Sequence, residues 1–213
     1  MTRRRIIIVD DHPLFRAALR QTLSGGDATV RVEEAGDLNG LSAALDADRD
    51  CDLVLLDLAM PKRSGLEIIS EIRQIRPNTA ILVLSIYPED QYAVRALRAG
   101  ASGYLTKASA PNELIKAMRK VLSGGKYISM SLAEILASEI DQHTQQQPHE
   151  RLSDREYQVM LMLAAGKTVT EVSRELNLSV KTISTYRARI LEKMNMKNNA
   201  QMTFYAVENH LLD

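Results

Sequence analysis

Ile6-Ile7-Ile8-Val9-Asp10-Asp11 and Leu53-Val54-Leu55-Leu56-Asp57 share one design, a row of aliphatic residues closed by a carboxylate. Gly103-Tyr104-Leu105-Thr106-Lys107 is a third short run, closed by an ammonium. An unbroken aliphatic run of this length suits a strand buried on both faces. If the three strands lie parallel in one sheet, their carboxyl ends meet at one edge, where open α/β sheets hold ligands. Asp10, Asp11, Asp57 and Lys107 then share a small site. Such a site can hold a divalent cation beside a reactive aspartate.

The segments between these runs complete the sheet. Pro13 opens a helical pattern with Leu14, Phe15, Ala18, Leu19 and Leu23 on one face, ended by Gly25-Gly26. Val30–Ala35 reads as a second strand and Leu38–Leu45 as a second helix. Gly65–Arg76 carries Leu66, Ile69, Ile72 and Ile75 at core spacing and stops at Pro77. Ala80–Ser85 is a strand, Asp90–Ala99 a helix ended by Gly100, and Pro111–Leu122 a helix ended by Gly124-Gly125. Strand–helix units in succession predict an α/β fold, a doubly wound five-stranded parallel sheet of flavodoxin-like type.

Beyond residue 125 the pattern changes. Ser131–His143 is suited to a helix, but Gln145-Gln146-Gln147-Pro148 is polar and turn-prone, so residues 126–150 read as a partly helical linker. Leu152–Ala165, Val169–Leu176, Val180–Met194 and Ala200–Asn209 then read as helices. The expected plan is a domain over residues 1–125, a linker over 126–150, and a small all-α domain over 151–213.

At 213 residues, 45% hydrophobic and 25% charged, the chain has material for two ordinary globular domains. Its longest apolar stretch, Val159 to Ala165, is too short to cross a membrane. Arg3-Arg4-Arg5 lacks the apolar segment of a signal peptide, because Asp10-Asp11 follows too soon. These features predict a cytoplasmic protein without a membrane partner. Cys51 is the single cysteine, which excludes an intrachain disulfide and reads as a buried filler. A net charge of zero argues against coating nucleic acid by charge alone. Residues 151–213 nevertheless gather five basic side chains between Lys181 and Lys197.

A carboxylate accepts a phosphoryl group only if the incoming negative charge is offset. Mg²⁺ held by acidic side chains offers this, and a lysine adds a point charge to the same oxygens. Ser85, at the end of its strand, is placed to donate one more hydrogen bond. Phosphoryl transfer is mostly positioning and electrostatics, so this set suffices. The pattern Asp10-Asp11, Asp57 followed by Met60-Pro61 and Gly65, Ser85, Tyr104 and Lys107 resembles the receiver domain of two-component response regulators, over residues 5–125. That resemblance implies a sensor histidine kinase as partner and Asp57 as the phosphoacceptor. It implies Mg²⁺ bound by Asp57, by Asp11 directly, by Asp10 partly through water, and by the backbone carbonyl of Ala59. Ser85 and Lys107 would bind the phosphoryl group. Tyr104 would be the switch aromatic that turns inward as Ser85 is drawn to the phosphate. Two departures stand out: Ala108 follows Lys107 where many receivers have proline, and Lys62-Arg63 replaces smaller residues. His12 reads as a loop residue and not a metal ligand.

Residues 168–194 have the layout of a helix-turn-helix, with Asn177-Leu178 as the turn and Ser179 as the N-cap of the second helix. On that helix Ile183, Ile190, Leu191 and Met194 are expected inside. Lys181, Thr182, Ser184, Thr185, Arg187, Ala188 and Arg189 form the remaining arc, suited to the major groove. Lys181, Tyr186, Arg187 or Arg189 would meet phosphates, while Ser184, Thr185 and Ala188, with Arg187, would meet base edges. Leu152-Ser153-Asp154-Arg155-Glu156, Ala165-Gly166, Glu171-Val172-Ser173, Leu178 to Ile183 and Lys193-Met194 resemble the LuxR-type DNA-binding domain. By that resemblance Glu156 is a buried partner for a basic side chain, and Met194 stands where leucine is usual.

The whole chain thus resembles a NarL/FixJ-family response regulator, and this implies a transcription regulator and not an enzyme beyond its own phosphorylation and dephosphorylation. It would bind double-stranded promoter DNA, as a homodimer once activated. A haloacid-dehalogenase-like phosphatase would need a second aspartate where Ala59 stands. A dinucleotide-binding protein would need a glycine-rich turn in place of Asp10-Asp11-His12-Pro13. A protein-interaction role for the C-terminal helices is the remaining alternative.

Overall fold

The computed structural model describes residues 4–24, 30–47, 50–60, 63–109, 111–141 and 147–212. Five parallel strands form one sheet: β1 (Arg4–Val9), β2 (Val30–Ala35), β3 (Leu53–Leu56), β4 (Ala80–Ser85) and β5 (Gly103–Thr106), in the order β2-β1-β3-β4-β5. They alternate with α1 (Pro13–Ser24), α2 (Leu38–Ala47), α3 (Gly65–Ile75), α4 (Glu89–Ala99) and α5 (Pro111–Leu122). The doubly wound sheet is as expected. Every residue of β3 and β4 is buried, which is what unbroken aliphatic runs allow and alternating ones do not. Ile6, Ile8, Leu53, Leu55, Leu82, Leu84 and Leu105 pack on Leu19 and Leu23 of α1 and on Leu114, Ala117, Met118 and Val121 of α5. Ile7, Val9, Val54, Leu56, Ile81 and Val83 alternate with them along the strands and take the other face.

β1 starts two residues earlier than its aliphatic run. Arg5 can enter the strand, 4% exposed, because Nη2 reaches Glu33 at 2.7 Å and the carbonyl of Ala44 at 2.6 Å. Asp57 sits one residue past β3, its N–H still bonded to the Val9 carbonyl at 2.9 Å. The expected stop at Gly25-Gly26 lies outside the described residues. Gly65 is needed at the start of α3: a Cβ there would lie 2.6 Å from Leu58 Cα.

After α5 the chain returns to the sheet. Tyr127 makes a single parallel bridge to Gly103, and its N–H donates to the Ser102 carbonyl at 2.8 Å. The next helix, α6 (Met130–Asp141), buries Leu132 completely. Residues 61–64 aside, the described chain forms one compact unit to Leu136 and another from Ala137. Of the expected glutamine-rich linker, residues 142–146 lie outside the described residues. Pro148–Arg151 forms a 3-10 turn instead of open linker.

The second unit contains α7 (Asp154–Ala164), α8 (Val169–Glu175), α9 (Val180–Lys193) and α10 (Asn199–Glu208). Ser153, Thr168, Ser179 and Asn198 each cap one of these helices, accepting the N–H of Glu156, Glu171, Thr182 and Gln201. Ile183, Ile190 and Met194 of the α9 region are buried; Leu191, expected with them, is half-buried.

Candidate functional site

The chain reverses its strand order between β1 and β3, so the carboxyl ends of these two neighbours border the crevice of the sheet. Asp10 and Asp57 stand there, 2% and 1% exposed. Lys107 crosses from the end of β5, held by its N–H to the Ser85 carbonyl at 2.7 Å. Its Nζ lies 2.7 Å from Asp10 Oδ2 and 2.7 Å from Asp57 Oδ2. The other oxygen of Asp57, Oδ1, accepts the N–H of Ala59 at 2.9 Å. Burial pushes the Asp57 pKa up, against the opposing pull of Lys107 and Ala59. Burial also opposes the charge on Lys107, but its bonds to Asp10 and Asp57 outweigh this and raise its pKa.

Asp11 is at the rim, its side chain 33% exposed. His12 lies in the loop as expected, yet its ring does not turn away. Nδ1 is 2.8 Å from Asp11 Oδ1 and 3.1 Å from Asp10 Oδ1. Asp10, Asp11, His12 and Asp57 each bring a ligand atom within 4.8 Å of the others. Asp11 Oδ1 is buried and has no aligned hydrogen-bond donor. An oxygen-rich cluster in which one carboxylate atom has only the His12 ring beside it has the donor set that a hard divalent cation takes.

Ser85 is fully buried, and its Oγ accepts the N–H of Tyr87 at 3.2 Å. Tyr104, also fully buried, points inward and donates its hydroxyl to the Tyr87 carbonyl at 2.8 Å. Burial raises its pKa above the usual tyrosine value, against a hydrogen bond with Ser85. Two participants escaped the sequence reading. Phe15, taken as a core residue of α1, lies under the Lys107 ammonium with its ring centroid 4.7 Å away. Tyr87 supplies both the N–H to Ser85 and the carbonyl to Tyr104, and stacks on Tyr92 at 4.6 Å. Backbone contacts leave no side-chain signature, so only Tyr87's position two residues after Ser85 pointed to it.

On α9 the structure exposes Lys181, Ser184, Thr185, Ala188 and Arg189 and half-buries Thr182, Tyr186 and Arg187. Ser184 and Thr185 donate their hydroxyls to the carbonyls of Val180 and Lys181, at 2.9 and 3.0 Å. Arg187 Nε donates to Asn199 Oδ1 of α10 at 2.7 Å, a contact not expected from sequence. The C-terminal end of α9 is fastened to the start of α7 by Lys193 Nζ on Glu156 Oε2 at 2.6 Å. Glu156 also accepts the N–H of Ser153 at 2.8 Å.

Comparison with known proteins agrees with both halves. A model of the response regulator receiver domain matches residues 6–119, and one of bacterial regulatory proteins of the luxR family matches residues 150–206. The chain is 36% identical to the response regulator UvrY of Escherichia coli (strain K12), over 97% of this chain and 94% of the relative. It is 35% identical to the response regulator GacA of Pseudomonas protegens, over 98% of each. Among solved structures, RcsB from Salmonella enterica serovar Typhimurium bound to promoter rprA with the phosphomimetic BeF3− is similar. Its TM-score is 0.64 at 27% identity, covering 96% of this chain and 98% of that one. A structure of two RcsB dimers bound to two parallel DNAs is similar at TM-score 0.60 and 28% identity, covering 97% of this chain and 98% of that one. Among the described residues no helix is long and apolar enough to cross a membrane.

Proposed function

The chain belongs to the NarL/FixJ family of response regulators, which join a receiver domain to a LuxR-type DNA-binding domain, and from that premise we propose that phosphorylation of Asp57 by a sensor histidine kinase controls promoter binding through α9. The observation that carries this reading is the Asp57 carboxylate: buried, oriented by Ala59 N–H and Lys107, and flanked by Asp10 and Asp11. A carboxylate oxygen of Asp57 attacks the phosphorus of a phosphohistidine. The phosphorus–oxygen bond forms as the phosphorus–nitrogen bond breaks, and the imidazole leaves with the electron pair. Lys107 offsets charge on the phosphoryl oxygens, and Ser85 donates a hydrogen bond to them.

Mg²⁺ fits the cluster; Asp11, Asp10, Asp57 and the Ala59 carbonyl would hold it, and when bound it supplies positive charge to the phosphoryl oxygens. Residues 1–125 form the receiver, 126–150 the linker and 151–213 the DNA-binding domain, with the packing of Tyr127 and Leu132 drawing the start of the linker onto the receiver. Ser184, Thr185 and Ala188 face base edges, Lys181, Tyr186 and Arg189 meet phosphates, and Arg187 reaches either a phosphate or a base edge. The DNA is double-stranded promoter DNA, bound by a homodimer, in the cytoplasm where the genome lies. The only catalysis is that of the chain's own phosphorylation and dephosphorylation.

Selection of genomic fragments by the full chain with Mg²⁺, with and without beryllofluoride, tests this. Enrichment of one motif with the mimic alone is the expected result. Equal enrichment in both conditions rejects control through Asp57, and no enrichment at all favours a protein-interaction role for the C-terminal helices.

A further inference from the structure

The inward position of Tyr104 is tied, through two intervening contacts, to the first turn of the linker helix. Its hydroxyl holds the carbonyl of Tyr87 at 2.8 Å, and the Tyr87 N–H holds Ser85. Two residues further, Glu89 begins α4. Its Oε2 accepts the hydroxyls of Ser129, at 2.5 Å, and Ser131, at 2.7 Å. Ser129 in turn accepts the N–H of Leu132 at 3.0 Å, which makes it the cap of α6. Leu132 is fully buried, so this turn is seated on the same compact unit as the switch.

A serine capping a helix must present a lone pair to the N–H of its third residue. The Ser129 proton then needs another acceptor, and Glu89 is that acceptor. The rotamer of the cap is therefore set by the position of α4. Within its own segment the cap meets only another hydroxyl, Ser131 Oγ at 3.0 Å, and α6 has no acidic residue in its first turn.

We infer that Glu89, Ser129 and Ser131 form a latch that fastens the first turn of the linker helix α6 when Tyr104 is inward. The inference rests on the reading of Asp57 as the switch. Tyr104 inward pins the segment of residues 86–88 and places the Glu89 carboxylate over both serines. Tyr104 outward frees the Tyr87 carbonyl, lets Glu89 drift, and leaves α6 without an oriented cap. Phosphorylation, by favouring the inward ring, orders the start of the segment that leads to the DNA-binding domain.

Hydrogen exchange of the full chain in Mg²⁺, with and without beryllofluoride, tests the latch. In the parent the mimic should slow exchange of residues 130–136 about five-fold, the factor for gaining a helix cap. Glu89→Gln, Ser131→Ala and Tyr104→Phe should lose that slowing, while residues 85–88 of the first two still respond to the mimic. Equal slowing of residues 130–136 in parent, Glu89→Gln and Ser131→Ala overturns the latch. If the mimic changes neither segment in the parent, the reading of Asp57 fails. The latch is then decided without the mimic: faster exchange at 130–136 in Glu89→Gln and Ser131→Ala supports it, and unchanged exchange rejects it.

Discussion

Replacing Lys193 by Met tests how firmly the recognition helix is held. The side chain keeps its length but loses its charge, and the Glu156 carboxylate, 4% exposed, loses a 2.6 Å charged hydrogen bond. Such a bond contributes about 1.5–3 kcal/mol net. Lys193 is itself 41% exposed, so water screens part of the interaction, and the low end, about 1.5 kcal/mol, is expected. For a domain of this size that lowers the melting midpoint by roughly 6–12 °C. Differential scanning calorimetry of the full chain measures it. The loss should also depend on pH. Burial alone would raise the Glu156 pKa, but the bonds from Lys193 and Ser153 outweigh it and hold it below its usual 4.5. A carboxyl depressed in the folded state contributes stability above its unfolded pKa and loses it as pH falls through the folded value. In the variant, burial acts with less opposition, so the carboxyl takes up its proton earlier and escapes the penalty. The gap between parent and variant is full at neutral pH and narrows as pH falls through 4.5 towards the depressed folded value. An unshifted transition at neutral pH, or a gap that stays constant over this range, would refute the reasoning.

Other perturbations probe other parts. Asp57→Asn should bind DNA with an affinity that beryllofluoride and Mg²⁺ leave unchanged; any gain would move the phosphoacceptor elsewhere. Gly65→Ala forces a methyl to within 2.6 Å of Leu58 Cα, and should cost about 1–3 kcal/mol in urea unfolding; a parental midpoint would contradict the crowding. Arg187→Ala should weaken DNA binding and reduce the salt slope by about one, with uptake of phosphate from a phosphodonor intact. Loss of both would speak against two separable units. The Cys51 thiol is buried and its pKa is pushed up to about 11, first by burial. Native chain should therefore resist a thiol reagent until urea unfolds it, and rapid native labelling would disprove the burial.

The sheet and the carboxylate edge were legible because their signals are local. A run such as Ile6–Val9 states its own burial, and a charge at its end states its own position. In the second unit the start of α9 was legible for the same reason, Ser179 being the capping residue on which it opens. What escaped depends on neighbours remote in sequence. Arg5 enters β1 only because Glu33 and Ala44 accept its guanidinium. Phe15 satisfies a core pattern on α1, and only the sheet brings Lys107 over its ring. Arg187 sits on the polar arc of α9, but α10 returns beside it and claims its Nε. Residues 126–150 read as linker from their own composition, and only the bridge of Tyr127 to β5 draws their start onto the sheet.

The receiver's sheet satisfies its backbone hydrogen bonds only by pairing separate strands, whereas α7 to α10 each satisfy theirs within one helix. Sheets of that kind close in milliseconds to seconds, short helices much faster. The direction of synthesis reverses the disadvantage. About 70 residues separate the end of α5 from the end of α9, several seconds of translation at roughly 5–20 residues per second. The slow-closing half therefore has time to fold on the ribosome before the fast-closing half exists, and a nascent chain that can grip DNA already carries its regulator.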